Sequence, residues 1–270
     1  MTYWSLRITV PALVGALALF AAPQQAEEDK VSPDRPGFGT PTTLVRPGMM
    51  QFETGFARET DSSEGLSTRL FVMPTSLLRF GMTDRLELRL ESGGILRERE
   101  QGPDGILHRN GAGDVSFAAK LRLWDERLFL PAVTLIPSLS SPFGSPGHSS
   151  GGYDPKVILA WAKDLPAEFG IGGNLSYGSV TADLDRATAR DFSLGVERGF
   201  GPITGFVEAY QQRLGTGKDA DKAWAMQTGA AFGLWKNFAF DISLGRAITN
   251  NAPDFMIGFG LSMRSPWRKF

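Results

Sequence analysis

The chain has 270 residues, a formal net charge of -1 and 21% charged residues, a balance that offers nucleic acid no electrostatic footing. It holds no cysteine and only two histidines, which excludes thiol nucleophiles, disulfides, thiolate metal sites and His-rich metal centres. The length suits one large β domain or two small ones; a hydrophobic content of 42% is ordinary for a soluble protein, and glycine is high at 32 residues.

Arg7 precedes an apolar run over residues 8–22 that ends in small residues, and charge begins at Glu27. This pattern predicts a secretory signal peptide over residues 1–26. The run is shorter than the roughly 20 apolar residues of a membrane-spanning helix, and Pro11 interrupts it. Residues 27–48 follow. Between 31 and 48 they hold four prolines and three glycines, too many for a regular helix or a central strand. They predict an extended periplasmic lead-in that could plug whatever follows.

From residue 49 to 270 one pattern repeats: about ten residues of alternating polarity, then a turn. The expected strands span residues 49–60, 68–80, 85–92, 112–123, 128–140, 156–163, 168–179, 190–198, 203–213, 223–234, 237–248 and 254–264. Their connections alternate in length. Residues 81–84, 125–127, 165–167, 200–202 and 235–236 are short; 61–67, 93–111, 141–155, 180–189, 214–222 and 249–253 are longer. Short turns at one end and long loops at the other are the plan of a transmembrane β-barrel. Aromatic residues flank the turns as a bilayer-interface girdle would: Trp124, Phe129, Phe169, Trp235 and Phe238 beside short ones, Trp224 beside a long one. The expectation is therefore all-β: a transmembrane antiparallel up-and-down barrel of about 12 strands.

The stretch TDRLELRLES, residues 83–92, sharpens the choice against a soluble sandwich. Leu86, Leu88 and Leu90 alternate with Arg85, Glu87, Arg89 and Glu91. In a barrel the leucines meet acyl chains and the charges line the lumen, and closure leaves no backbone amide unpaired in lipid. Val115, Phe117, Phe232 and Phe259 are expected on the same lipid-facing surface. Glu53, Arg69, Arg79, Arg85, Glu87, Arg89, Glu91, Asp114, Lys120 and Arg122 are expected inside, as a charged wall of cross-strand ion pairs. The opposite wall, from residues 168–179 and 223–234, offers Gly, Ala, Ser and Asn.

Four stretches carry a family resemblance: the lead-in SPDRPGFGTPTTLVRPGMMQFETGF, the hairpin LLRFGMTDRLELRL, the segment GAGDVSFAAKLRL and the ending NAPDFMIGFGLS. Together they resemble the outer-membrane β-barrel family of phenol meta-cleavage pathway transporters, over residues 32–262. The resemblance implies an outer-membrane location in a Gram-negative bacterium and passage of small hydrophobic or aromatic molecules. It implies no catalytic residues, metal or cofactor. The chain departs from the family at SSPFGS, residues 140–145, and at Pro266, which would interrupt a final strand before Phe270. Expected partners are outer-membrane lipid, a small-molecule cargo and the barrel-assembly machinery.

Two other readings stand beside the channel. One is a lipid or ester hydrolase using His148 with Ser149 or Ser150 in the outer loop GHSSGGYD, residues 147–154. The other is a closed structural or surface-binding barrel. No nucleophile elbow, phosphate loop or dinucleotide fingerprint accompanies them.

Overall fold

The computed structural model describes residues 30–63, 65–182, 185–215 and 220–267. Its strands are β1 (Met49–Ser63), β2 (Leu66–Thr83), β3 (Leu86–Ser92), β4 (Ile95–Gly102), β5 (Gly105–Ala112), β6 (Val115–Trp124) and β7 (Ala132–Ser141). They continue with β8 (Asp154–Leu165), β9 (Phe169–Ala182), β10 (Asp185–Phe200), β11 (Ile203–Leu214), β12 (Asp221–Trp235), β13 (Phe238–Ala247) and β14 (Phe255–Pro266). All neighbours are antiparallel, and β1 pairs with both β2 and β14, which closes the ring.

The ring has twelve wall strands among the described residues, because β3 with β4 and β5 with β6 each occupy one place. Ser76 opposes Ser92 on β3 and Val72 opposes Leu96 on β4, the same register carried past Gly93-Gly94. Ser92 likewise opposes Val115 and Ile95 opposes Ala112. Glycine is needed at the break. Gly94 has φ +76, and a Cβ there would stand 2.5 Å from the Pro74 carbonyl. The expected loop over residues 93–111 is thus a hairpin, β4–β5, prolonging β3 and β6. The polar run RERE on β4 hid its alternation, since both faces of this extension carry charge.

The same correction applies within residues 61–67 and 180–189. Residues 61–63, 66–67, 180–182 and 185–189 are strand ends rather than loops, with β1 running to Ser63 and β10 beginning at Asp185. The turn after β6 is longer than expected, and β7 begins at Ala132. Residues 127 and 130 exchange backbone hydrogen bonds, and Trp124 Nε1 donates to the Pro131 carbonyl. At the end of the chain Pro266 opposes Met49, where a missing N–H costs least. Trp267 N then donates to Gly48 O, and its ring meets Phe80 edge-on at 6.0 Å. The expected signal peptide and Phe270 lie outside the described residues.

Apolar side chains stand on the outer surface. Leu88, Leu90, Phe117, Leu175, Val207, Ile242 and Phe259 are all exposed, while the fully buried large side chains are polar: Arg79, Lys120, Gln51, Glu53 and Glu87. This inverts a soluble fold and matches a sheet whose outer solvent is hydrocarbon. At roughly 25 cal/mol per Å² of apolar surface removed from water, the outer residues favour lipid strongly over solution.

Candidate functional site

The lumen is occupied by the chain's own lead-in. Asp34 is the centre of the attachment. Its carboxylate meets Arg79 Nη1 at 2.8 Å, Arg89 Nη2 at 2.5 Å and Lys120 Nζ at 3.3 Å. Arg79, from β2, also reaches Glu53 of β1 at 2.9 Å and Glu87 of β3 at 2.8 Å. Three carboxylates thus meet three cations, all nearly or fully buried. Such a set is tolerable out of water only because every charge is paired. Burial alone would raise the Asp34 carboxyl, but Arg79, Arg89 and Lys120 hold it well below the usual carboxylate range.

The cluster also grips the lead-in backbone. Asp34 N donates to Glu53 Oε2 at 2.9 Å, and Val45 N donates to Glu87 Oε2 at 2.7 Å. The Thr43 carbonyl accepts from Arg79 Nη2 at 3.0 Å and Lys120 Nζ at 2.8 Å. A segment too rich in proline to pair in a sheet has its polar groups satisfied by wall side chains instead.

Between these two anchors the lead-in crosses to the far wall. Phe38 N and Gly39 N donate to the two oxygens of Glu208 on β11 at 2.8 and 2.9 Å. Thr40 N donates to Asn174 Oδ1, and Asn174 Nδ2 returns a bond to Thr40 O. The Phe38 ring stacks on Tyr210 with centroids 4.1 Å apart. Arg35 lies against β1 and β14, with Nε 3.5 Å from Asp241 Oδ1. A Cβ at Gly55 or Gly260 would overlap its guanidinium, so the glycines there form a slot for it.

Of the residues expected inside, Glu53, Arg79, Glu87, Arg89 and Lys120 lie in the cluster. Glu91 and Asp114 line a separate chamber toward the long connections, about 400 Å³ in volume. Arg122 is half-buried and pairs with Asp125 of the following turn. Two residues stand elsewhere. Arg85 is exposed in the turn before β3, its N–H donating to Thr83 Oγ1. Arg69 faces outward: Gly55 opposes Thr75, but Ala57 opposes Val72, so β2 holds an extra residue at Met73-Pro74 and its alternation flips. Arg69 then shares a face with the exposed Phe71, over whose ring Arg58 lies at 5.4 Å.

Leu86 and Val115, Phe232 stacked on Phe240, and Phe259 stacked on Phe56 share the outer face with Leu88, Leu90 and Phe117. Trp124, Phe169 and Trp235 are exposed at strand ends and Phe129 is exposed in the turn between β6 and β7; Trp224 and Phe238 are half-buried near strand ends. Asn174 stands on the inner wall where the small-residue pattern put it, whereas Gln51, Glu208 and Asp241 were missed, although each sits at the inward parity of its strand, where a polar residue in a sheet with an apolar outer face points at something inside. In the outer loop, Ser150 Oγ donates to Gly152 O and its N–H to Asp114. His148 Nε2 has no hydrogen-bond partner among the described residues.

Among solved structures the chain is similar to the COG4313 outer membrane channel of Pseudomonas putida F1, at 16% identity and a TM-score of 0.66, covering 86% of this chain and 99% of that one. It is also similar to the translocator domain of the autotransporter NalP from Neisseria meningitidis, at 12% identity and a TM-score of 0.53, covering 82% and 90%. The β domain of the Bordetella autotransporter BrkA gives 10% identity and 0.53, covering 80% and 99%. These likenesses establish the outer-membrane barrel fold. No curated protein sequence matches the chain. A family model spans residues 33–265, lead-in and all wall strands together, and the chain belongs to the family it describes, "Putative MetA-pathway of phenol degradation".

Proposed function

We propose that the protein is an outer-membrane channel for small hydrophobic or aromatic molecules, its passage governed by the lead-in. The observation that carries this reading is the inverted barrel with a segment docked, through Asp34, in its charged interior. A wall that only had to be filled could use apolar side chains. Here the filling is a separate segment held by polar contacts. Outer-membrane lipid contacts the apolar band, and the assembly machinery inserts the barrel after export. The aromatic cargo rests on the family alone.

The test uses cells taking up a labelled monoaromatic compound at limiting concentration, with the gene intact or deleted. Slower uptake on deletion, restored by the full chain, supports the proposal. Equal uptake removes the cargo assignment.

A further inference from the structure

The outer face of the barrel changes character where the apolar band ends, on the side of the long connections. On β1 the outward side chains run Phe56 and then Arg58, about 7 Å further along the strand. Opposed residues of antiparallel strands share a face, so the register carries this surface sideways. Arg58 opposes Phe71 of β2, and Phe71 opposes Arg97 of β4. One row further from the band, Thr60 opposes Arg69 and Arg69 opposes Arg99. Four guanidinium groups therefore share one outward patch. Phe71 is exposed among them, with Arg58 5.4 Å above its ring.

The two faces of these strands treat charge differently. On the inner face Arg109 of β5 meets Glu98 at 2.9 Å and Glu100 at 3.0 Å. Glu59 of β1 lies on that inner side too, opposite Leu70, which in turn opposes Glu98. On the outer face Arg58, Arg69, Arg97 and Arg99 form no ion pair, and no carboxylate of β1, β2, β4 or β5 shares their face among the described residues. Like charges directly opposite on neighbouring strands repel, and Arg69 with Arg99 is such a pair. Arg99 Nη2 reaches only the neutral Gln101, at 3.4 Å. An anion lying across the row relieves that repulsion, and a phosphate suits it, because guanidinium groups bind its oxygens two at a time.

The height of the patch selects the carrier of that anion. Ile257 of β14 opposes Arg58 on its other side, and Phe259 beneath it stacks on Phe56; both are exposed. Basic residues bordering an apolar membrane surface meet lipid headgroups. The end with long connections faces outward in an outer-membrane barrel. We propose that Arg58, Arg69, Arg97 and Arg99 bind the phosphate groups of a phosphorylated lipid of the outer leaflet, whose acyl chains lie over Ile257 and Phe259. The site is on the lipid side of the wall and does not depend on passage through the lumen.

The test is native mass spectrometry of the purified full chain in detergent, titrated with bisphosphorylated lipid A, the same lipid stripped of its phosphates, and inorganic phosphate. The phosphorylated lipid should bind about tenfold or more tightly than the stripped one, and inorganic phosphate in excess should not displace it. Arg69→Gln/Arg99→Gln and Arg58→Gln/Arg97→Gln should each weaken it about tenfold. Arg190→Gln, on another wall where Arg190 lies over Tyr177, should change nothing. Heat-modifiable migration confirms that the variants fold. Equal binding of the stripped lipid, displacement by inorganic phosphate, indifference to both double variants, or an equal loss in Arg190→Gln overturns the proposal. So does a dimer of the chain that both double variants dissolve, which would make the patch an interface between copies. Conductance is recorded separately: lipid binding without current contradicts the channel reading and spares this site, and current without lipid binding does the reverse.

Discussion

Asp34 does more than any other single side chain to hold the lead-in, because one carboxylate answers three cations from three strands. Asp34→Asn removes its charge and leaves Arg79, Arg89 and Lys120 with two carboxylates, Glu53 and Glu87. We expect the lead-in to loosen and single-channel conductance to rise several-fold, read in planar bilayers. The pH dependence follows from the direction of its shift. Docked Asp34 titrates below the ordinary carboxylate value near 3.9, so its contribution is complete above that value and fades as the pH falls beneath it. Below about pH 4 the released form takes up a proton that the docked form refuses, so release becomes easier. Conductance should therefore increase on acidification in the wild type, and this component should be missing in Asp34→Asn. Arg79→Ala is the harsher change. It strands Asp34, Glu53 and Glu87 without their shared partner, an arrangement that costs about 3–5 kcal/mol when a buried pair is broken. The midpoint of unfolding in guanidinium should fall accordingly.

The elements show which parts of this arrangement were legible beforehand. Alternation located every wall strand, because a sheet between lipid and a polar interior keeps strict parity over most of its length. It failed where one solvent gave way to another. Beyond the lipid both faces of β4–β5 are free to be polar, so RERE looked like a loop. It failed also at Met73-Pro74, where one extra residue reversed the sense of Arg69. The lead-in was recognisable as non-strand from its prolines, but its route was not. Phe38 and Gly39 meet Glu208 across 170 and 169 positions of sequence, and nothing local specifies such a contact. The hairpin offers a test of the continuous-strand account. Since β3 pairs directly with β6 and β2 with β3, replacing residues 95–112 by a short Gly/Ser turn should leave the ring closed. The shortened protein should still migrate faster unheated than boiled; loss of that difference would mean the extension is needed for closure.

At the scale of the molecule, two surfaces of opposite character explain the fold together. The outer face is apolar because it replaces water with acyl chains, and the inner face is charged because it holds a segment that cannot pair its own backbone. Each half complements the other. An empty charged lumen would admit water and ions, and a free lead-in would have no fold. Glycine at wall positions near Arg35 belongs to the same design: Gly55→Val should push the guanidinium from its slot, weaken its contact with Asp241 and open the lumen part-way. The central claim is that this docked segment closes a membrane-spanning ring. Single-channel recording of the full chain beside a form lacking residues 31–45 tests it most directly. A small conductance that becomes several-fold larger on deletion, in a barrel still heat-modifiable, is the predicted result; equal conductance in the two forms would contradict it.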